Sequence, residues 1–556
     1  MGFEREGIFV GGVVLLFLLI VIFIVSGEIA RRRTTTAEGY YLAGRSVGPV
    51  TNAFAIVSAY LSCATFLGFT AFIWGLQSQL IIMSQAWMCG FLVMIISFSG
   101  PLRRLGTYTA AGYISERFRS EYGRLIAVGF MIFIMIMYAV SQMKAIAHVF
   151  EMLLGVSYVP GLFIGGIVVV LYVTIGGMYG VTWNQALQGA ICVIAMFVPV
   201  MAILQALGAN VWYVPFWGYG NMVPEMLEAF PKFFDVLYPP EAHIKWYQGV
   251  FFSMLFGTAS VPHYLSRVAS AKTIKEGRYG FLLGLFFIGF VNVLTFGSGF
   301  AGVLWTSVEG IEVAAVRADM LLLILSDIFV GDWALAMVMA GAFAAGLSTT
   351  AGALIVIGTG IAHDIVGSYK ELTERQKLIF APIVSFVGGI VIIFVTINPP
   401  AFALASVIWA IAVSASVFTA PLIMGIWWKG ANKYGVIWSM LIGGFLCMYA
   451  NAQFAHPSFT WSPIWSDVPY GSIPYPGVLS VPASFVVLIF VSLITNRIPS
   501  LAAKIPREET DLLIEKAHGW PEKHIPKNSK RYNSETGPII IGLIMLFFVL
   551  YALFGG

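Results

Sequence analysis

Residues 333–361 read WALAMVMAGAFAAGLSTTAGALIVIGTGI, twenty-nine consecutive positions without one charged side chain. At 1.5 Å per helical residue such a run extends about 43 Å, more than the hydrocarbon core of a bilayer, for which about 20 apolar residues suffice. A run of this kind in a water-soluble protein would be a single buried core helix. Here it has many companions. By the same count, apolar stretches fall near 8–28, 48–75, 80–100, 125–154, 159–177, 183–207, 246–266, 279–306, 333–361, 378–397, 402–428, 435–454, 477–495 and 537–554. Of the 556 residues, 59% are apolar and only 10% charged, with mean hydropathy +0.87. That charge content cannot cover several soluble domains, because a soluble surface needs about a quarter of the chain charged. The expected fold class is an all-α polytopic membrane protein with about 14 transmembrane helices.

The cations support this count independently. With the first loop assigned to the cytoplasm, 26 of the 31 Lys and Arg residues fall in cytoplasmic segments, as the positive-inside rule requires. The clusters are Arg31 to Arg33, Arg103/Arg104 with Arg117 to Arg124, Arg267 to Arg278, and the 496–535 segment. This assignment places both termini outside. Glu4, Arg5 and Glu6 precede the first apolar stretch and Arg31-Arg32-Arg33 follows it, the order of a retained span and not of a cleaved leader. Cys63, Cys89, Cys192 and Cys447 lie in apolar surroundings with neither metal-ligand nor disulfide spacing. The segments 208–245 and 452–476 are rich in aromatic residues and proline and read as interfacial belts. The 496–535 stretch is too short for a catalytic domain and reads as a connecting arm. No nucleic-acid module, obligate protein partner or cofactor is expected.

Chemistry inside the membrane must come from the few polar residues there, since burying them is costly. Glu28, Glu151, Asp332 and Asp364 sit at span ends, which argues against a carboxylate proton relay. No H-E-x-x-H or paired midplane aspartate suggests an enzyme. Hydroxyls and small residues cluster instead, as Ser58-Ala59-Tyr60-Leu61-Ser62-Cys63-Ala64-Thr65 and as Ala345-Gly346-Leu347-Ser348-Thr349-Thr350. Ala345, Ser348 and Thr349 share one helical face. Spacing alone fits close helix packing as well as it fits oxygen ligands for a monovalent cation. Lys144, His148 and Glu151 also share a face; Lys144 reads either as a partner for an anionic substrate or as a side chain reaching the interface beside Glu151. His263 follows Pro262 near a span end, and His363-Asp364 stands at the foot of another.

Several motifs, in order, resemble the sodium:solute symporter family. They are Tyr40-Tyr41-Leu42-Ala43-Gly44-Arg45, the Ser62-to-Gly68 run, Gly176-Gly177-Met178-Tyr179-Gly180-Val181-Thr182-Trp183-Asn184-Gln185 with Gln188, Pro262-His263-Tyr264-Leu265-Ser266-Arg267, Ala345-x-x-Ser348-Thr349, and Pro421 through Trp428-Lys429-Gly430-Ala431-Asn432. The resemblance implies a LeuT-like fold of two inverted five-helix repeats, here 47–207 and 246–428. Residues 1–46 would form an additional first span, 208–245 an external loop, and 429–556 three further spans with the arm. It implies a sodium site of Ser58, Leu61 and Ala345 carbonyls with Ser348 and Thr349 side-chain oxygens, so that sodium is cargo and not a cofactor. Phe256-Gly257-Thr258-Ala259 followed by Pro262-His263 looks like the acetate and monocarboxylate branch, whereas the acidic and aromatic positions of sugar carriers fall at Ala86 and Gly257. Asn184 stands where many relatives carry Asp.

The expectation is therefore a sodium-coupled symporter of the plasma membrane, in a prokaryote the inner membrane, importing a small monocarboxylate. Ser62, Thr65, Trp87, Gly257 and Thr258 are the expected substrate-lining residues. The alternatives are a proline-type amino-acid symporter, proton coupling through His263 or Lys144, and a membrane sensor module with an appended domain.

Overall fold

The structure is a computed structural model; it describes residues 9–33, 36–76, 79–107, 109–209, 240–309, 318–370, 372–399, 403–450, 477–521, 524–525 and 529–554, with Pro224 and Glu228. The aromatic segments expected at the two external loops thus lie almost wholly outside the described residues. Among those described, regular structure is helical apart from one bridge between Val47 and Ala271. In chain order the helices are α1 (Val10–Arg33), α2 (Pro49–Tyr60), α3 (Cys63–Phe66), α4 (Gly68–Leu76), α5 (Gln79–Val93), α6 (Ser99–Leu105), α7 (Ala110–Phe118), α8 (Glu121–Leu154), α9 (Tyr158–Ala206) and α10 (Pro240–Ser260). The second half holds α11 (Pro262–Ser270), α12 (Ile274–Glu309), α13 (Leu321–Phe329), α14 (Asp332–Thr359), α15 (Glu374–Val395), α16 (Ala403–Trp427), α17 (Lys433–Ala450), α18 (Gly477–Arg497), α19 (Arg507–Ala517) and α20 (Thr536–Phe554).

Every apolar stretch read from the sequence is helical, but the crossing count is coarser than fourteen. Among the described residues ten helical segments are long and apolar enough to span a membrane, and the bent pair Pro49–Tyr60 and Cys63–Trp74, counted as one span, makes an eleventh. Tyr158–Thr174 and Lys433–Tyr449 are apolar but shorter. The expected loop between the fifth and sixth stretches is not a break in the backbone, which runs helically from Tyr158 to Ala206.

Burial sorts the helices into a centre and a shell. The apolar window of α14 is wholly buried and that of α16 is 94% buried, against 28% for α1 and 11% for α20. A helix apolar on all sides must be enclosed by protein or lipid. The stretch 333–361 is enclosed by protein, and α1 and α20 turn most of their apolar surface outward.

The hydrophilic arm is docked. The last carbonyls of a helix lack intrahelical donors and carry partial negative charge. At the end of α16, Arg117 donates to Gly425 O at 2.6 Å and Trp428 O at 3.2 Å, His518 Nε2 donates to Ile426 O at 2.9 Å, and Arg507 donates to Lys429 O at 2.6 Å. Burial pushes the Arg117 guanidinium down to about 10, so it stays cationic at neutral pH. Lys429 in turn forms a 2.6 Å pair with Glu515 of α19, both side chains at most 4% exposed. Removing one partner of a buried pair that has no other counter-charge costs about 3–5 kcal/mol; here Arg531 Nη1, 3.5 Å from Glu515 Oε2, offsets part of the loss when Lys429 is removed. Lys429→Met should therefore lower the thermal midpoint clearly, while Lys429→Met with Glu515→Met should recover most of it, as read by unfolding in detergent.

Candidate functional site

Two interrupted helices frame the site. Between α2 and α3 the chain bends by 65°, with Leu61 at φ −72°, ψ 54° and Ser62 extended. No proline enforces this break; side chains replace the lost helical bonds. The Thr65 hydroxyl donates to Tyr60 O at 2.6 Å and lies 2.9 Å from Ser62 O, and the Cys63 N–H donates to Gln142 Oε1 of α8 at 2.8 Å. Such substitution is what allows a helix to open inside a bilayer. The second break, between α10 and α11, sits at Val261, where Pro262 lacks the N–H that would continue the helix.

Ser58, Ala345, Ser348 and Thr349 of the expected sodium ligands gather at the open end of α2. Ser348 Oγ of α14 lies 2.8 Å from both Ser58 O and Ala345 O, and Thr349 Oγ1 is 3.4 Å from Ala59 O. The Leu61 N–H closes onto Val57 O at 2.7 Å, which makes Leu61 the residue at the turn. All five residues are buried. Two glycines permit the approach: a Cβ at Gly189 of α9 would stand 2.2 Å from Phe54 O of α2, and one at Gly346 would stand 2.8 Å from Cys63 Sγ. A helix C-terminus together with uncharged oxygens suits a hard monovalent cation. Among the described residues no His, Cys, Asp and Glu group is arranged to hold a metal.

The expected substrate residues divide by what their polar atoms do. Ser62 Oγ, Trp87 Nε1 and Thr258 Oγ1 are buried and make no hydrogen bond of normal geometry, with Ser62 near the Tyr138 hydroxyl and Trp87 near the Tyr264 hydroxyl. The Trp87 ring meets Tyr60 edge-on at 5.0 Å. Thr65 spends its hydroxyl on the break. Gly257 faces α16, where a Cβ would lie 2.3 Å from Ile411 O; its missing side chain lets the two helices touch. The His263 ring meets Tyr138 edge-on and lies tilted against Tyr264, with ring centroids 4.7 and 4.1 Å apart.

Lys144 requires a correction. It does not reach toward Glu151, which instead pairs with His148 Nδ1 at 3.0 Å. Lys144 Nζ lies 2.6 Å from Asp319 Oδ2, with the two side chains 3% and 0% exposed. The same carboxylate oxygen accepts the Ala403 N–H at 2.9 Å, at the start of α16. A carboxylate is thus buried in the molecule after all, outside every apolar stretch. His363-Asp364 is tied in by Thr109, whose hydroxyl donates to Asp364 at 2.6 Å. Asn184 holds α1 to α9 by donating to Phe23 O at 3.1 Å and accepting from the Ser26 hydroxyl, and it donates to the Tyr172 hydroxyl of its own helix at 2.7 Å.

Sequence reading also passed over the polar residues that tie the breaks together. The Tyr60 hydroxyl meets Asn292 at 3.1 Å, the Tyr138 and Tyr264 hydroxyls lie 3.2 Å apart, and Gln185 Nε2 donates to Ser348 O at 2.5 Å. Their signal was available: each is an amide or phenol inside an apolar stretch, where burial demands a partner.

Interrupted helices around a buried cluster of carbonyls and hydroxyls are the arrangement that a membrane carrier uses to hold an ion at the middle of the bilayer. The sequence profile of the sodium:solute symporter family matches residues 40–443, and the chain belongs to that family. It is 27% identical over 460 residues, covering 81% of this chain and 88% of the relative, to the uncharacterized symporter YwcA of Bacillus subtilis (strain 168). Its fold is similar to the substrate-bound, outward-open state of a Na+-coupled sialic acid symporter, with TM-score 0.69 and 17% identity over 87% of this chain and 98% of that one. It is a multi-pass membrane protein of a family of sodium-coupled solute symporters.

Proposed function

We propose that the protein couples sodium to the import of a small monocarboxylate, such as acetate or pyruvate, by alternating access between residues 47–207 and 246–428 acting as inverted repeats. Sodium occupies the Ser58, Leu61, Ala345, Ser348 and Thr349 oxygens and favours the outward-open state. That preference is a coupling free energy, so substrate must raise sodium affinity by the same factor.

The observation that carries the substrate class is the buried Trp87 Nε1, an atom that can only donate and that makes no hydrogen bond of normal geometry. An unsatisfied donor suits a ligand made of acceptors. A zwitterion would need an acceptor for its ammonium, and a sugar would need partners for many hydroxyls. The test is uptake into proteoliposomes under an inward sodium gradient, with labelled acetate, pyruvate, proline and glucose. The expected result is sodium-dependent uptake of acetate or pyruvate, undiminished by excess proline. Proline uptake with no carboxylate uptake defeats the reading, as does uptake indifferent to sodium.

A further inference from the structure

Four cationic side chains are buried among the described residues: Arg117, Lys144, Arg267 and Lys429. Three have their charge answered. Lys144 pairs with Asp319, Lys429 pairs with Glu515, and Arg117 caps the negative end of α16. Arg267 is different. Its Nη1 donates to Thr182 Oγ1 at 2.8 Å, its Nη2 donates to Gln185 Oε1, and its Nε has no partner. It is 2% exposed and faces only neutral oxygens of α9. An ionised group held this deeply is costly unless a counter-charge accompanies it. A guanidinium is the side chain suited to taking a carboxylate on two N–H groups.

Its surroundings also point to a ligand. One turn earlier on α11 stands His263, 4% exposed, with neither ring nitrogen hydrogen-bonded. The His263 ring lies against Tyr138 and Tyr264, whose hydroxyls meet between the two helix breaks. Arg267 thus stands one turn beyond His263, toward the end of α11 that the charge pattern places in the cytoplasm. Gln185, which supplies one neutral oxygen to Arg267, uses its amide N–H on Ser348 O in the sodium cluster.

We propose that Arg267 and His263 form a second carboxylate-binding station on the cytoplasmic side of the helix breaks, where the transported anion displaces Gln185 from Arg267 and so signals to Ser348. This rests on the monocarboxylate reading above. In the station the carboxylate accepts from the guanidinium and from one imidazole N–H. The freed Gln185 side chain then loosens its hold on the Ser348 carbonyl, linking anion departure to sodium release.

Arg267→Gln alone is a poor test, because it removes two buried hydrogen bonds and can fail by misfolding. Thr182→Asp places a carboxylate beside Nη1 without touching Gln185 or Ser348. A purely structural Arg267 would accept that ion pair with its fold and transport intact. The proposal expects the opposite for function: unchanged thermal stability without ligand, but half-saturation for acetate exchange from the cytoplasmic side raised about tenfold or more, with the external value within about threefold. Arg267→Lys should lie between. Wild-type cytoplasmic half-saturation in Thr182→Asp overturns the station, as does an equal shift on both sides.

A binding measurement separates this from the substrate assignment. Thermal stability of the purified full chain is compared in sodium acetate, sodium pyruvate and sodium chloride at matched sodium. Failure of both carboxylates to stabilise the wild type sinks the monocarboxylate reading. Stabilisation of wild type and Thr182→Asp alike sinks only the station. If chloride alone gives the Arg267-dependent stabilisation and acetate adds nothing, the site holds an inorganic anion and the carboxylate assignment is overturned.

Discussion

Replacing Ser348 and Thr349 together by alanine is expected to raise the sodium concentration for half-maximal uptake by at least about a hundredfold, at 1.5–3 kcal/mol for each bond to a charged group. Both hydroxyls face the carbonyls at the open end of α2, with Ser348 Oγ 2.8 Å from Ser58 O and Thr349 Oγ1 3.4 Å from Ala59 O. A cation there would lose two of its five expected oxygens. The fold should lose far less. Alanine is the best helix former, and the chief structural cost is that Ser58 O and Ala59 O are each left short of one donor, about 1 kcal/mol apiece. Membrane abundance is thus expected to stay near wild type while sodium activation collapses. The rival reading, in which Ala345, Ser348 and Thr349 serve only helix packing, expects the reverse: altered abundance with sodium dependence untouched. Initial uptake rates across a sodium series, normalised to folded protein, distinguish the two. Wild-type sodium dependence in the double variant would remove Ser348 and Thr349 from the site. Linkage supplies a second check, because the factor lost in sodium affinity must also be lost in the enhancement of substrate binding by sodium.

What could be read in the sequence was what depends on local pattern. Charge-free runs located the helices, and the run at 333–361 proved the most enclosed of them. The second break could be seen at Pro262, whose missing N–H is visible in one residue, although the apolar stretch 246–266 runs through it without a change of hydropathy. The first break was harder, because it is maintained by Thr65 and by Gln142 from another helix, and no residue at 61–62 forbids a helix. Gly257 illustrates a degeneracy: a glycine that lets two helices touch looks the same in sequence as one that opens a helix. Lys144 shows the limit of periodicity. Spacing presents only neighbours on the same helix, so Glu151 stood out, while the carboxylate that pairs with Lys144 lies 175 residues away. The arm hid for a related reason. Lys429, Glu515 and Arg507 read as solvated charges until the end of α16, with its open carbonyls, is placed among them.

Lys144→Met and Asp319→Asn are each expected to destabilise the protein severely, whereas Lys144→Met combined with Asp319→Leu should recover most of the loss. The two charges are 2.6 Å apart with side chains 3% and 0% exposed, so neither can fall back on water when its partner is removed. Breaking such a pair costs about 3–5 kcal/mol, chiefly the penalty on the stranded charge, while replacing both charges by apolar groups is often nearly neutral. Here the double replacement keeps one debt. Asp319 Oδ2 also accepts the Ala403 N–H at 2.9 Å, and leucine leaves that donor unpaired, at about 1–3 kcal/mol. The double variant should therefore be less stable than wild type yet more stable than either single variant. Contacting charges in one network commonly couple by about 0.5–3 kcal/mol, and a pair this buried belongs at or above the upper end. Unfolding midpoints of all four proteins in detergent give that coupling directly. Single losses that add in the double variant would mean that the two side chains act independently. The sign of the double variant also decides Lys144's part in transport. If Lys144 met the substrate directly, the apolar pair would fold but take up the anion poorly from outside. If the pair serves to fasten α8 to the segment before α13 and to the first turn of α16, uptake should follow the amount of folded protein.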